Sequence, residues 1–191
     1  MKQFALLMFS AALLTGQDHE IEGNRASTVR VIVYEDLQCP DCAVFRKMMD
    51  TALLPKYKDK VAFEHREFPL PKHKYARPAA IGARYFASVK PELGVAFRQF
   101  LYADPMSITP ENLSSKIAEF AKKHGADPAA AVAALNDKKL AQAVEEDYQE
   151  GVARGVAKTP TVFVNGEPFV ERFTVEDISK AIDAALAAAP K

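Results

Sequence analysis

The two cysteines are the residues of this chain whose type and spacing could do chemistry. Cys39 and Cys42 are separated by Pro40 and Asp41 and are the only cysteines among 191 residues. A C-x-x-C pair that opens a helix can carry thiol–disulfide exchange, because the helix dipole and the unpaired N–H groups favour negative charge on the first sulfur. That thiolate attacks a disulfide, and the second thiol resolves the mixed disulfide. Cys39 is therefore predicted to be the exposed nucleophile, and Cys42 the more buried resolving thiol.

Three other roles for the pair stay open on the residues alone. A structural disulfide across so short a loop removes little chain entropy, so it would stabilise the fold weakly. Half of a zinc site would need two further ligands from the four histidines, none of which lies at a finger-like spacing. The third is a pair of inert buried thiols. A zinc site built from cysteines alone is excluded, because it needs four thiolates.

A buried strand, a turn and a helix are predicted to position the cysteines. Residues 28–34 (TVRVIVY) are β-branched and aromatic, which indicates a buried central strand. Pro40 suits the first position of a helix, so a helix is predicted to begin at Cys39 or Pro40 and to end at Pro55. Residues 61–68 (VAFEHREF) alternate as a second strand, and a right-handed crossover makes the two strands parallel.

Helical periodicity dominates the middle of the chain, and strand patterns return after it. Residues from about 72 to 158 carry apolar side chains at helical spacing. Two short strands, at 161–164 and 167–170, flank Asn165-Gly166, which is a strong hairpin-turn signal. Thr174 is predicted to cap a final helix. The order of elements is β-α-β, a helical block, then β-β-α.

The redox pair and a later proline segment resemble the DsbA-like branch of the thioredoxin superfamily. The resemblance is carried by VIVYEDLQ before the pair and by GVAKTPTVFVNG at residues 155–166, and it covers roughly residues 28 to 188. It implies an α/β chain with a thioredoxin fold and an inserted all-helical domain, within a domain at residues 28–191. It also implies catalytic roles for Cys39 and Cys42, and no metal or organic cofactor.

Thr159 and Pro160 match the position where thioredoxin-like folds keep a cis peptide bond that faces the redox pair. With such a bond, the backbone of Thr159 would be free to pair with an extended substrate chain. Substrate binding is therefore expected at these two residues. The alternative is an ordinary loop that enters a strand, since only about 5–6% of X–Pro bonds are cis.

Two departures from the family pattern concern the acidity of the thiols. Pro40 and Asp41 are predicted to tune the first thiol, and strong oxidants of the family often carry His between the cysteines. The negative charge of Asp41 should instead raise the pKa of that thiol, which predicts a weaker oxidant. Val33 stands where many thioredoxin-like proteins bury a carboxylate that helps proton transfer to the resolving thiol. Strand alternation does not show whether Glu35 or Asp36 replaces it.

A targeting signal is predicted at the N-terminus. Residues 1–16 contain Lys2 and then an apolar run of about 11 residues, which suits a signal peptide and is shorter than the roughly 20 that span a membrane. The alternative is a buried N-terminal helix. Residues 17–27 are polar and are predicted to form a flexible lead-in. The mature protein is expected to be soluble and periplasmic or otherwise extracytoplasmic, in an oxidising compartment.

Charge and composition restrict the partners. The chain has 25 basic and 25 acidic residues, so no global field attracts nucleic acid or an anionic membrane. Pattern and resemblance together predict an exported protein disulfide oxidoreductase, an oxidase of moderate strength acting on cysteines of other exported proteins. A membrane redox partner and a monomeric state are expected. The alternatives are a periplasmic thiol reductase, in cytochrome maturation or sulfenic acid repair, and a chaperone-like peptide binder without redox turnover.

Overall fold

A mixed sheet of five strands places the redox pair. The computed structural model describes residues 19–189, so the predicted signal peptide at residues 1–16 lies outside the described residues. The strands are β1 (Ile21–Gly23), β2 (Arg30–Glu35), β3 (Ala62–Glu67), β4 (Thr161–Val164) and β5 (Glu167–Val170). Their order across the sheet is β1-β3-β2-β4-β5, with β2 at the centre and parallel to β3, as predicted. The other neighbouring strands are antiparallel.

The described part of the chain has eight α-helices. They are α1 (Pro40–Met48), α2 (Leu54–Tyr57), α3 (Ala76–Val89), α4 (Pro91–Ala103), α5 (Leu113–Lys123), α6 (Pro128–Ala133), α7 (Lys138–Ala153) and α8 (Val175–Ala188). Helices α1 and α8 pack on one face of the sheet in a common apolar core. Helix α7 packs on the other face, where Tyr148 stacks on Phe68. Within residues 19–189 no helix combines the length and the apolar character that a membrane crossing requires.

Helices α3 to α7 form the all-helical domain inserted between β3 and β4, as the resemblance implied. The insertion has its own aromatic core, in which the rings of Phe86, Phe97 and Phe120 lie 4.7–5.1 Å apart. The same apolar cluster includes Cys39 and Cys42. The insertion therefore packs directly against the redox pair.

The helix that follows the redox pair does not end at Pro55, and that prediction is wrong. Helix α1 continues through a π-helical turn at Met49–Leu53 into α2, which contains Pro55. A proline ring clashes with the carbonyl four residues earlier in a regular helix, and the wider π turn relieves that crowding.

The prediction of a flexible lead-in is wrong for the described part of residues 17–27. Ile21–Gly23 pairs antiparallel with β3 as an edge strand. Glu20 is buried, and Glu22 accepts hydrogen bonds from Arg46 and His65. Polar composition was a poor guide here, because these carboxylates meet opposite charges inside the fold instead of water.

The C-terminal hairpin and the last helix follow their sequence signals. Asn165 and Gly166 have φ angles of 44° and 96°, the left-handed conformations that a two-residue hairpin turn needs. Thr174 caps α8 through reciprocal hydrogen bonds with Asp177. These local structures hold β4 beside β2, and Pro160 directly precedes β4.

Candidate active site

The redox pair lies at the start of α1, directly after the turn that follows the central strand β2. Cys39 is the residue that precedes the first turn of α1, and Pro40 occupies that turn, as predicted. The backbone N–H of Cys39 donates to the carbonyl of Asp36 at 2.9 Å, which closes the turn between β2 and α1. The free N–H groups at the start of α1 are therefore close to the sulfur of Cys39.

The sulfur of Cys39 is less accessible than the sequence predicted. Cys39 keeps 5% of its surface exposed and Cys42 keeps 1%. The relative order agrees with the predicted roles, but the expectation of an exposed first cysteine is wrong. The helical insertion packs against the pair, and the segment at Thr159 lies over it. Only a small part of the surface of Cys39 is therefore open to solvent.

The Thr159–Pro160 peptide bond is cis and faces the redox pair. The Sγ of Cys39 donates a hydrogen bond to the carbonyl oxygen of Thr159 at 3.4 Å. The hydroxyl of Thr159 is buried and has no hydrogen-bond partner among residues 19–189. It is therefore available to donate to a thiolate at Cys39.

The two thiols differ in acidity. The neighbouring thiol of Cys42 does most to lower the pKa of Cys39, from 9.0 to about 6, because it can donate a hydrogen bond to a thiolate at Cys39. Burial opposes the shift, and the hydroxyl of Thr159 and two backbone N–H groups support it. Burial raises the pKa of Cys42 well above its ordinary value, and the negative charges of Cys39 and Glu35 add to this. At neutral pH, Cys39 is mostly ionised and Cys42 keeps its proton.

Asp41 acts on Cys39 through its backbone. Its carboxylate was expected to raise the pKa of the first thiol, whereas that pKa is lowered and the N–H of Asp41 contributes to the lowering. The side chain of Asp41 is exposed, and its charge is not among the principal influences on the sulfur. Water screens the carboxylate, while the N–H group has a fixed direction at the start of the helix.

Glu35 supplies a buried carboxylate next to the pair, two residues after Val33. Its Oε1 accepts hydrogen bonds from Nδ1 of His65 at 2.6 Å and from Arg98 at 2.9 Å. Its Oε2 accepts one from the hydroxyl of Tyr102 at 2.9 Å. Burial alone would raise the pKa of Glu35, but the charges of His65 and Arg98 outweigh it and lower the pKa to about 2.

Asp36 is a second buried acid, and it holds the loop that leads into the helical insertion. Its backbone N–H donates to the Sγ of Cys42 at 3.5 Å. Its carboxylate accepts hydrogen bonds from the N–H of Leu70 at 2.7 Å and from Nδ1 of His73 at 2.8 Å. The sequence assigned no role to His73. His73 lies in the turn before α3, and nothing in the sequence around it indicated this contact.

One cluster has the residue types of a metal site but already contains a cation. The ligand atoms of His19, Asp147 and Glu150 lie within 4.8 Å of one another. The guanidinium of Arg66 lies among them, 2.7 Å from a carboxylate oxygen of Glu150 and in contact with His19. The cluster is therefore a buried ion-pair network that supports β3 and α7.

A narrow groove of about 40 Å³ opens beside the redox pair. Val44 lines this groove and is 54% exposed. The lining residues are Asp41, Val44, Phe45, Met48, Pro160, Glu171 and Phe173. The groove thus joins an apolar surface to Pro160 and to the helix that carries the cysteines.

Comparison with known proteins agrees with this geometry. The family model described as Thioredoxin matches residues 15–184. A relative from Rickettsia typhi is 29% identical over 171 residues, which cover 86% of this chain and 60% of that protein. Its name, protein-disulfide oxidoreductase, is a provisional assignment. The chain spans about 60% of the length of that protein and of a second relative, from Rickettsia prowazekii.

Two solved structures share the fold. Oxidised BdbD from Bacillus subtilis has a TM-score of 0.80 and 20% identity, and the match covers 89% of this chain and 94% of BdbD. The alpha-DsbA1 protein of Wolbachia pipientis has a TM-score of 0.77 and 20% identity, with 92% of this chain and 94% of that one covered. The chain belongs to the thioredoxin family, and its thioredoxin fold with a helical insertion is DsbA-like.

Proposed function

We propose that the protein is an exported thiol–disulfide oxidoreductase that exchanges a Cys39–Cys42 disulfide with cysteines of other exported proteins. The observation that carries the proposal is the contrast between the two thiols at the start of α1. The pKa of Cys39 is lowered to about 6 and that of Cys42 is raised, so one sulfur is a thiolate and its neighbour retains a proton. The name of the rickettsial relative supports the same activity.

In the oxidising direction, a substrate thiolate attacks the Sγ of Cys39 in the disulfide. The Cys39–Cys42 bond breaks, and the sulfur of Cys42 takes the electron pair and a proton. A second substrate thiolate then attacks the substrate sulfur of the mixed disulfide, and Cys39 leaves as a thiolate. A low pKa of the leaving thiol favours this step. The substrate loses two electrons and the protein gains them as a dithiol.

Thr159 and Pro160 are proposed to bind the substrate backbone. The cis bond and the 3.4 Å contact with Cys39 place the Thr159 segment beside the reacting sulfur. An extended substrate chain that pairs with this segment would be held without readout of its sequence. The groove around Val44 and Phe173 offers apolar contacts to residues that flank the substrate cysteine.

Moderate oxidising strength is proposed from the acidity of Cys39. A pKa of about 6 lies between the roughly 7 of thioredoxin and the roughly 3.5 of the strong oxidant DsbA. A lower pKa stabilises the reduced form and so makes the disulfide more oxidising. The same intermediate value leaves a thiol reductase as the second candidate. In cells, a pair that is mostly disulfide indicates an oxidase, and a pair that is mostly dithiol indicates a reductase.

Export, a membrane redox partner and a monomeric state complete the proposal. The apolar run of about 11 residues after Lys2 supports export through a cleaved signal peptide. An oxidase ends each turnover with the pair reduced, so it needs a partner that reoxidises it. A reductase ends each turnover with the pair as a disulfide, so it needs a partner that reduces it.

Trapping of mixed disulfides tests the function. A Cys42→Ser variant cannot resolve the adduct on Cys39, so covalent complexes with exported proteins are expected to accumulate. They should disappear on reduction, as seen by nonreducing electrophoresis and mass spectrometry. Cys39→Ser is the matched control and should form none. Absence of adducts in the compartment where the protein resides would contradict the proposal, and binding activity that survives Cys39→Ser would favour the chaperone-like alternative.

A further inference from the structure

The carboxylate of Glu35 is held by three donors, two of which are cations. His65 and Arg98 donate to one oxygen and Tyr102 donates to the other. The second ring nitrogen of His65 faces Glu22 of β1 at 2.9 Å. Since each ring nitrogen faces a carboxylate oxygen, both must donate, and His65 is an imidazolium. A proton on Glu35 would remove the negative charge that attracts these two cations.

Glu35 also lies near the resolving thiol. The backbone N–H of the next residue, Asp36, donates to the Sγ of Cys42 at 3.5 Å, and the hydroxyl of Tyr102 contacts both the carboxylate of Glu35 and the carbonyl of Asp36. Burial and Cys39 do most to raise the pKa of Cys42, and the negative charge of Glu35 adds to them. The charged or titratable groups that face Cys42 or Glu35 come from β2, the loop after it, β3 and α4. They are Glu35, Asp36, His65, Glu67, Arg98 and Tyr102, together with Cys39 directly before α1.

We propose that Glu35 is a positioning residue that acts as a permanent anion: it keeps the proton on the thiol of Cys42, and it does not accept that proton when Cys42 attacks. The inference deepens the thiol–disulfide function proposed above and rests on it. It assigns Glu35 a role opposite to that of the buried carboxylate which helps proton transfer in many thioredoxin-like proteins. The protonated thiol of Cys42 can then donate its hydrogen bond to the thiolate of Cys39.

The resolving step balances without a carboxylate base. The sulfur of Cys42 attacks the Sγ of Cys39 in a mixed disulfide, and the bond between Cys39 and the substrate sulfur breaks. The substrate leaves with the electron pair of that bond. The proton of Cys42 leaves with the substrate sulfur, so the products are the Cys39–Cys42 disulfide and a substrate thiol.

The first test is a titration of Cys42 in a Cys39→Ser background, followed by the ultraviolet absorbance of the thiolate. Adding Glu35→Gln removes the anion and keeps the size of the side chain. The titration midpoint of Cys42 is expected to fall by about one pH unit or more. A midpoint that stays the same or rises would overturn the proposal.

The second test measures the resolving step with glutathione as the probe. Cys39 is loaded as a mixed disulfide with glutathione, and the release of glutathione by Cys42 is followed at neutral pH. With Glu35→Gln, release is expected to be about threefold faster, because a tenfold larger thiolate fraction outweighs the weaker nucleophile. A carboxylate that accepted the proton would make release slower in the same variant.

Glu64→Gln is the matched control. Like Glu35, Glu64 is a buried carboxylate, and it lies on β3 and pairs with Arg30 at 2.9 Å. Glu64 directly precedes His65, so its side chain points to the opposite face of the sheet. Its loss should leave the midpoint of Cys42 and the release of glutathione unchanged. An effect as large as that of Glu35→Gln would show a general structural change and would overturn the assignment.

A measurement on the wild-type protein covers the case in which Glu35→Gln does not fold. Carboxyl carbon NMR should show no titration of Glu35 between about pH 4 and about pH 8. Burial raises the pKa of neighbouring Glu67 to about 6, so Glu67 serves as an internal signal that titrates in this range. Titration of Glu35 near neutral pH would overturn the proposal. Neither this measurement nor the thiolate titration needs turnover, so failure of the inference is distinguishable from failure of the function.

Discussion

The reactivity of Cys39 depends on a few atoms within reach of its sulfur. The thiol of Cys42, the hydroxyl of Thr159 and two backbone N–H groups stabilise its thiolate. None of these donors is a charged side chain. Pro40 and Asp41 therefore affect the pKa of Cys39 mainly through the backbone at the start of α1. A charged side chain placed between the cysteines should shift that pKa further.

Replacement of Asp41 tests this view at the residue scale. Asp41→His places a cation near the sulfur when protonated, which should lower the pKa of Cys39 below about 6. Each unit of lowering should raise the reduction potential by up to about 30 mV, measured against glutathione buffers. Asp41→Asn is the control and should change the potential by less than about 10 mV. An equal rise in both variants would show that the carboxylate charge matters after all.

Charged side chains tie the edge of the sheet to the helical insertion. Arg98 of α4 contacts three carboxylates. They are Glu20, directly before β1, at 3.2 Å, Glu35 of β2 at 2.9 Å, and Glu67 of β3. One guanidinium thus joins three segments of the sheet region to the insertion. Because the group is buried, its removal would leave carboxylates without a partner and without water.

Arg98→Met measures this link between elements. The variant is expected to lose about 3–5 kcal/mol of unfolding free energy, which is the usual cost of breaking a buried ion pair from one side. Urea unfolding followed by circular dichroism gives the value. Lys56→Met removes an exposed partner of Asp183, a pair that water screens, and should change the unfolding free energy far less. Similar losses in the two variants would mean that Arg98 is no more important than a surface pair.

Several charged side chains are buried around the redox site. Their pKa shifts make the free energy of unfolding depend on pH. Burial would lower the pKa of His65, but the carboxylates of Glu35 and Glu22 raise it to about 9. Its contribution is complete below about pH 6.5 and is lost as the pH rises toward 9. For Glu22 and Glu35 burial is outweighed by cationic partners, so both pKa values fall to about 2. Their contribution is present above about pH 4.5 and is lost toward pH 2.

The disulfide form of the protein should therefore be less stable at pH 9 than at pH 6. The loss expected from His65 is about 3 kcal/mol, measured by urea unfolding. The oxidised form is chosen because ionisation of a free Cys39 would add stability over the same range. His65→Gln should remove most of the pH dependence above about pH 6.5. Equal stability of the wild type at the two pH values would contradict the charged state of His65.

Local signals in the sequence were enough to predict the parts of the fold that carry the cysteines. The β-branched run before Cys39, the proline at position 40 and the Asn165-Gly166 turn each act within a few residues, so their structural consequence can be read directly. The resemblance placed Thr159 and Pro160 opposite the pair. The same local reasoning failed for Pro55, where a π turn accommodates the ring, and for the polar lead-in that becomes β1.

The acidity of the site was decided only by the tertiary structure. The three donors to Glu35 are 30, 63 and 67 residues away along the chain. The limited exposure of Cys39 depends likewise on segments far along the chain, among them Thr159, 120 residues away. The sequence of a strand does not show whether a carboxylate in it will be surrounded by water or will face a buried cation. Charge state depends on distance and desolvation, and both arise only when remote segments pack together.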